Sequence, residues 1–246
     1  SADARRAYAC FEQPDLKAAF TFTVTAPAHW QVVSNSPTPD AEPTGEGVAT
    51  WRFSPTPRIS SYITALVAGP YDVVRDTPTS RRGEVPLGSF CRKSLTPYLD
   101  ADILFDLTKR GFAFFEAEFD CAYPFEKYDQ IFTPEYNMGA MENAGAVTFN
   151  EVYVFRSRVT EALVERRSLT LLHELAHMIL GHCDGDDCTV DEALLPNIPP
   201  YTRGRLLRRQ DLDSETEIAA ESLADKLAAG IRGSVFAESA FSEIFG

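Results

Sequence analysis

The first 95 residues alternate hydrophobic and polar positions in the short runs typical of β-strands. β-Branched and aromatic residues cluster at positions 19–25, 48–53 and 62–68, and the last of these runs is almost continuously apolar. Prolines fall repeatedly between the runs, where they favour turns. This pattern predicts a β-rich N-terminal domain over residues 1–95 that forms part of a sandwich.

Beyond residue 95 the hydrophobic spacing becomes helical. Apolar residues recur every three or four positions from Asp100, which can cap a helix, to about Phe119. The elements predicted after this helix are two short strands and two further helices: 130–133, 146–155, 160–179 and 215–229. We therefore predict an α+β fold, in which residues 96–246 form a second, α/β domain.

The helix predicted at 160–179 contains the pattern HExxH, formed by His173, Glu174 and His177. Side chains four residues apart lie on one face of a helix, so the two histidines can hold one zinc ion through their imidazole nitrogens. Glu174 lies beside them and can take a proton from water at the metal. The remaining helix positions are largely apolar, which predicts a buried and rigid support. The motif thus predicts a peptidase with one Zn²⁺ per chain.

A second motif, GAMEN, lies upstream and comprises Gly139, Ala140, Met141, Glu142 and Asn143. Together with ADARRAYACFEQPDLKAAF near the start and the HELAHM that follows, it makes residues 2 to about 178 resemble the aminopeptidase N family of zinc exopeptidases. The resemblance implies a gluzincin-like catalytic part that removes N-terminal residues from peptides with a free N-terminus.

The resemblance also implies a role for each part of GAMEN, all five residues of which are expected to bind substrate. Glu142 would bind the free α-amine, and a charge-assisted hydrogen bond of this kind would select for the end of a peptide. The backbone of Gly139 and Ala140 would contact the substrate or its developing oxyanion. Glu174 and Glu142 are therefore the expected catalytic side chains.

The third zinc ligand is less well defined, because Pro196 stands where the aminopeptidase N family has its glutamate. The segments LTLLHELAHMILGH and SETEIAAESLA make residues from about 168 to 230 resemble instead small metallopeptidases of the antirestriction and phage-repressor-cleaving type. We favour Glu217 as ligand, with Glu221 one turn later orienting a zinc-bound imidazole. Glu217 also fits a capping box with Ser214. The alternative ligands are Glu221, Glu238 and Glu192.

The departures from the family leave two other functions open. A zinc endopeptidase of the antirestriction or regulatory type would use the same histidines without an amine-binding gate. A metal-binding fragment without catalytic activity is the third interpretation. We expect the chain to be truncated and to begin inside a longer protein, and around residue 168 its sequence resembles a fusion of two gluzincin relatives. Both alternative functions are compatible with these expectations.

Composition and charge narrow the range of partners. The net charge of −13 leaves no basic face, so we expect no nucleic acid. No apolar run reaches the roughly 18–20 residues that span a bilayer, so we expect no membrane segment. Five scattered cysteines favour free thiols in a reducing compartment, and hence a cytoplasmic protein. The oligomeric state is left open.

Overall fold

A computed structural model describes residues 4–11 and 13–180 of the 246-residue chain. The described α-helices are α1 (Ala4–Ala7), α2 (Ala101–Glu118) and α3 (Glu161–Leu180). The described strands are β1 (Thr23–Pro27), β2 (Gln31–Ser34), β3 (Glu42–Gly45), β4 (Val48–Arg52), β5 (Leu66–Gly69), β6 (Tyr71–Asp76), β7 (Thr79–Ser80), β8 (Gly83–Glu84), β9 (Leu87–Arg92), β10 (Tyr128–Thr133), β11 (Ala140–Met141) and β12 (Ala146–Asn150). Short 3₁₀ turns lie at Ser61–Ile63, Lys93–Tyr98 and Glu151–Tyr153.

The residues divide into two compact units, of which the first comprises 1–78, 84–101 and 125–156. Its largest sheet has the strand order β11-β12-β10-β9-β6. The central strand β10 runs parallel to both β9 and β12, whereas the outer strands β6 and β11 are antiparallel to their neighbours. Strands β1, β4 and β3 form a separate antiparallel sheet, and β2 pairs with β5.

Apolar clusters hold the described part of the first unit together, and β2 contributes to two of them. Because successive side chains of a strand point to opposite faces, Val32 packs with Trp51 and Phe53, while Val33 packs with Phe90 and Ile131. The second cluster also includes Ala146 of β12. The β2–β5 pair therefore packs on the sheet that carries β11 and β12.

The second unit comprises residues 79–83, 102–124 and 157–246, of which α2 and α3 are the described helices. Phe112 and Phe115 of α2 are fully buried, and Phe112 packs edge-on against Tyr123. The buried carboxylate of Glu116 accepts hydrogen bonds from the Ser80 hydroxyl at 2.6 Å and from the Tyr123 amide at 2.7 Å. These bonds attach the segments on either side to α2 and satisfy a charge that would otherwise be costly to bury.

The predicted mixture of helices and strands, with a β-rich N-terminal part, is confirmed. The helices expected at 100–119 and 160–179 agree with α2 and α3 to within one residue at each end. The domain boundary near residue 95 remains a prediction, although the five-stranded sheet takes strands from both sides of that residue.

The predicted strands exceed the observed ones in three places. Strand β1 begins at Thr23 rather than at residue 19, and β12 ends at Asn150, where the 3₁₀ turn Glu151–Tyr153 replaces the rest of the strand predicted at 146–155. The third strand, predicted at 62–68, is wrong in its first half. Residues 62–68 were expected to be extended throughout, but Ser61–Ile63 forms a 3₁₀ turn and β5 begins only at Leu66. The reason is tertiary: the Ile63 carbonyl and the Ala65 amide bond to the side chain of Asn35 rather than to a neighbouring strand. Local apolar character alone could not reveal this bond.

Two further expectations concern the whole chain. In the described part, no helix combines the length and hydrophobicity needed to span a membrane. Cys10, Cys91 and Cys121 are free thiols, and burial raises the pKa of the Cys91 thiol despite its hydrogen bond with Thr96. Cys183 and Cys188 lie outside the described residues.

Candidate functional site

The HExxH motif lies in the last three turns of α3, on a helix anchored by its apolar face. Leu172 and Leu175 are fully buried and pack against α2 at Gly111. A Cβ atom at Gly111 would lie 2.7 Å from the Cδ2 atom of Leu175, so the absence of a side chain there permits the two helices to approach. Met178 contacts the Tyr123 hydroxyl through its sulfur at 3.9 Å. The motif therefore rests on a packed element.

The two histidines converge on one point of the α3 surface. The Nε2 atoms of His173 and His177 are 3.1 Å apart, and the two rings meet at an interplanar angle of 68°. Two nitrogens bound to a single tetrahedral zinc ion would be roughly 3.3 Å apart. The observed separation, and the imidazole chemistry of the pair, thus fit two ligands of one zinc ion.

Glu174 follows His173 directly, and only 5% of its surface is exposed. Both histidines are half-buried. A carboxylate shielded from bulk water beside two metal-ligating nitrogens is suited to proton transfer. Within residues 4–11 and 13–180, no group of three or more His, Cys, Asp or Glu side chains is placed to hold a metal. The candidates for a third ligand, Glu192, Glu217, Glu221 and Glu238, lie outside the described residues.

The GAMEN segment belongs to the first unit, where β11 is the outer strand of the five-stranded sheet. Ala140 lies opposite Phe149 and Met141 opposite Thr148. The carbonyl of Gly139 accepts a hydrogen bond from the amide of Asn150 at 2.9 Å. Peptide groups alternate in direction along a strand. The amide and the carbonyl of Ala140 therefore point away from β12, towards the edge of the sheet.

Glu142 and Asn143 begin the turn that joins β11 to β12. Glu142 is half-buried, whereas Asn143 is buried and donates a hydrogen bond from Nδ2 to the Thr148 hydroxyl at 3.0 Å. The Tyr136 hydroxyl lies 3.0 Å from the same oxygen. Of the predicted GAMEN residues, Asn143 is thus bonded within the fold, and Glu142 and Ala140 are those best placed to meet a ligand.

Sequence reasoning missed two residues that hold this turn, Asn35 and Lys127. The Asn35 amide donates to the Ala144 carbonyl at 2.9 Å, and Lys127 Nζ donates to the Gly145 carbonyl at 2.8 Å. For Lys127 a signal existed, because Asp129 follows two residues later and would share its face of an extended segment. For Asn35, whose partner is 109 residues away, the sequence holds no comparable signal.

Comparison with known proteins agrees with both motifs. Residues 103–183 match the model of the peptidase family M1 domain, and residues 1–63 match that of the peptidase M1 N-terminal domain. Together the two matches cover more than half of the 246 residues. The chain belongs to peptidase family M1. Its M1 domain match includes both the GAMEN segment and the HExxH helix.

Several aminopeptidases of the M1 family are similar to this chain. Aminopeptidase N of Streptomyces lividans is 58% identical over 179 residues, which are 73% of this chain and 20% of that protein. Aminopeptidase Ey of Gallus gallus is 32% identical over 73% of the chain, and aminopeptidase N of Rattus norvegicus 33% over 74%; each match covers 19% of the relative. The chain therefore spans about a fifth of the length of these relatives.

Proposed function

We propose that this chain carries the zinc-binding and amine-binding parts of an M1 aminopeptidase, which removes N-terminal residues from peptides. The observation that carries the proposal is the convergence of the His173 and His177 Nε2 atoms at 3.1 Å beside the buried Glu174. Family membership adds support, because the similar proteins are named aminopeptidases. M1 aminopeptidases are zinc-dependent in general.

His173 and His177 would hold the zinc ion, one per chain, within a gluzincin-like catalytic part. When bound, zinc acts as a Lewis acid that polarises a peptide carbonyl and makes water more acidic. We propose Glu217 as the third ligand, with Glu221 as its neighbour. Both remain predictions from the sequence.

Glu174 acts as general base in this proposal. It takes a proton from the attacking water and returns it to the leaving nitrogen, so that the peptide bond breaks and a free amino acid and a shortened peptide form. Its burial keeps bulk water from competing for that proton. Glu174 follows His173 on the same helix, so the helix backbone limits the position of the carboxylate relative to that histidine.

Glu142 and Ala140 would bind the substrate. The half-buried Glu142 carboxylate accepts hydrogen bonds from the substrate ammonium, and the Ala140 peptide groups at the edge of the sheet bind the substrate backbone. Gly139, Met141 and Asn143 complete the proposed substrate-binding segment. The proposed partners are thus peptides with a free N-terminus, and the proposed location is the cytoplasm.

A pair of reporters separates this function from the two alternatives. An aminoacyl reporter with a free amine should be cleaved faster than its N-acetylated form, and Glu142→Gln should remove most of that preference. Glu126→Gln, which changes an exposed carboxylate of the same unit, is the matched control. Equal cleavage of both reporters would support an endopeptidase. Stoichiometric zinc without any cleavage would support a metal-binding fragment and contradict the proposal for this chain.

A further inference from the structure

Asn35 follows strand β2 and is only 6% exposed. Its Nδ2 atom donates hydrogen bonds to the carbonyls of Ile63 and Ala144, both at 2.9 Å. Its Oδ1 atom accepts a hydrogen bond from the Ala65 amide at 2.9 Å. Both amide protons and the amide oxygen are therefore used. The side chain joins its own segment to residues 63–65 and to Ala144, all within the first unit.

The segment that Asn35 reaches is the turn between β11 and β12, residues 142–145, which begins with the last two residues of GAMEN. Besides the bond from Asn35, the turn is held by the Ala144 amide, which donates to the Ile63 carbonyl at 3.3 Å. Gly145 has a φ of +67°, and a Cβ atom there would lie 2.8 Å from the backbone oxygen of Asn35. The main chain of the turn is thus in direct contact with Asn35 as well as bonded to its side chain.

Lys127 holds the far end of the same turn. Its Nζ atom donates to the Gly145 carbonyl at 2.8 Å and to the Asp129 carboxylate at 2.7 Å, with both charged side chains about 5% exposed or less. The Asp129 amide donates to the Gly145 carbonyl as well, at 3.1 Å. The turn therefore has little freedom at Gly145. Nearer to Glu142, Asn35 restrains the turn through its bond to Ala144.

We infer that Asn35 is a positioning residue for Glu142. A carboxylate that selects substrates by their ammonium group must keep a fixed location, because a shift of about 1 Å in a binding group can cost roughly 100-fold in activity. The Asn35–Ala144 bond limits the movement of the main chain that carries Glu142. The role in catalysis rests on the proposed function, whereas the restraint of the turn does not.

Ser34 offers a matched comparison for this role. It is fully buried next to Asn35 and donates a hydrogen bond to the Ala65 carbonyl at 2.8 Å, on the same segment that Asn35 bonds. That bond does not involve the turn. Ser34→Ala therefore removes a buried hydrogen bond from the same place in the fold, and only Asn35→Ala also removes a bond to Ala144.

The first test measures amide hydrogen exchange of residues 142–146 in the full chain. In Asn35→Ala these amides should exchange about tenfold faster than in Ser34→Ala, as expected for the loss of buried hydrogen bonds. Amides of the β1–β4 pair should exchange alike in both variants. If Asn35→Ala does not fold, Asn35→Asp takes its place, because it removes both donors and keeps an acceptor for the Ala65 amide.

The second test uses the free-amine reporter. Asn35→Ala should raise KM about tenfold with kcat nearly unchanged, because an amine contact made equally in the ground state and the transition state affects binding alone. Equal exchange in the Asn35 and Ser34 variants would overturn the inference and leave Asn35 a purely stabilising residue. Faster exchange of the turn with unchanged KM would also overturn it. If the wild-type chain cleaves neither reporter, the proposed function fails, and the exchange result still decides whether Asn35 restrains the turn.

Discussion

The Nε2 atoms of His173 and His177 lie 3.1 Å apart on adjacent turns of α3. This arrangement follows from helix geometry, which places residues four apart on one face, and from the packing of the opposite face against α2. Nitrogens held this close on a packed helix bind a metal with little loss of side-chain freedom, since the helix already limits the rotamers of both rings.

His177→Ala should therefore abolish stoichiometric zinc binding. The variant keeps only His173 and the proposed Glu217 carboxylate, and two ligands should not retain the ion during dialysis against a chelator. Zinc content after dialysis, measured by elemental analysis, checks this. His29→Ala changes an exposed histidine of the other unit and should leave the zinc content as in the wild type. A His177→Ala protein with one zinc per chain would exclude this residue as a ligand.

Glu217→Ala should weaken zinc binding far more than Glu192→Ala. The first change removes the proposed carboxylate ligand, and the second is its control. Glu221→Ala should have an intermediate effect of about 10- to 100-fold on affinity, as is typical when a residue that orients a ligand is lost. Competition with a chromophoric chelator measures the zinc affinities of these three variants and of Glu238→Ala. Glu217 is not the ligand if Glu238→Ala or Glu192→Ala proves the more damaging change.

Glu174→Gln should keep the zinc and lose hydrolysis. The amide occupies nearly the same volume as the carboxylate but cannot accept the proton, so turnover should fall by about 10²- to 10⁴-fold. Metal analysis and the reporter assay on one preparation test both halves of the prediction. Loss of zinc in this variant would mean that Glu174 supports the metal site rather than proton transfer.

Gly145→Ala should destabilise the protein more than Gly47→Ala. The two glycines have nearly the same left-handed backbone, with φ of +67° and +68°. A Cβ atom at Gly47 meets nothing within 4 Å, whereas one at Gly145 would meet the Asn35 backbone oxygen at 2.8 Å. We expect a loss of about 1 kcal/mol at Gly47 from backbone strain and about 1–3 kcal/mol more at Gly145 from the steric conflict. Urea unfolding of both variants gives the comparison, and equal losses would show that the turn adapts freely.

The buried Lys127 should give stability a characteristic pH dependence. Burial lowers the pKa of Lys127, and the attraction of Asp129 opposes this only in part. Between that lowered pKa and the usual 10.5, the unfolded chain binds more protons than the folded one. The contribution of Lys127 to the free energy of unfolding therefore rises with pH through this window. At pH values below the window, the full cost of burying the charged lysine applies.

Urea unfolding of the wild type and of Lys127→Met between pH 7 and 10 measures this contribution. The wild type should gain stability relative to the variant as the pH increases. Lys93→Met, at an exposed site of the same unit, should not change the wild-type slope. A difference between wild type and Lys127→Met that does not change between pH 7 and 10 would show that the pKa of Lys127 is not lowered into this range, and would contradict the prediction.

The elements whose geometry is local can be predicted from the amino-acid pattern alone. Apolar residues at helical spacing predicted α2 and α3 almost to their ends, and the four-residue interval between His173 and His177 placed both on one face. Periodicity carries this information because a helix bonds residues that are close along the chain. The GAMEN and HExxH motifs likewise indicate the family without reference to the fold.

The contacts by which distant segments support the GAMEN turn are visible only in the folded chain. The parallel pairing of β10 with β9 and β12, the 3₁₀ turn at Ser61–Ile63 and the bond from Asn35 to Ala144 each join residues that local pattern treats as unrelated. A buried amide or lysine is costly unless its partners are already in place, and those partners are supplied by other segments. Hydrophobic spacing predicts which side of an element is buried. It does not predict which polar group of another segment forms a hydrogen bond there.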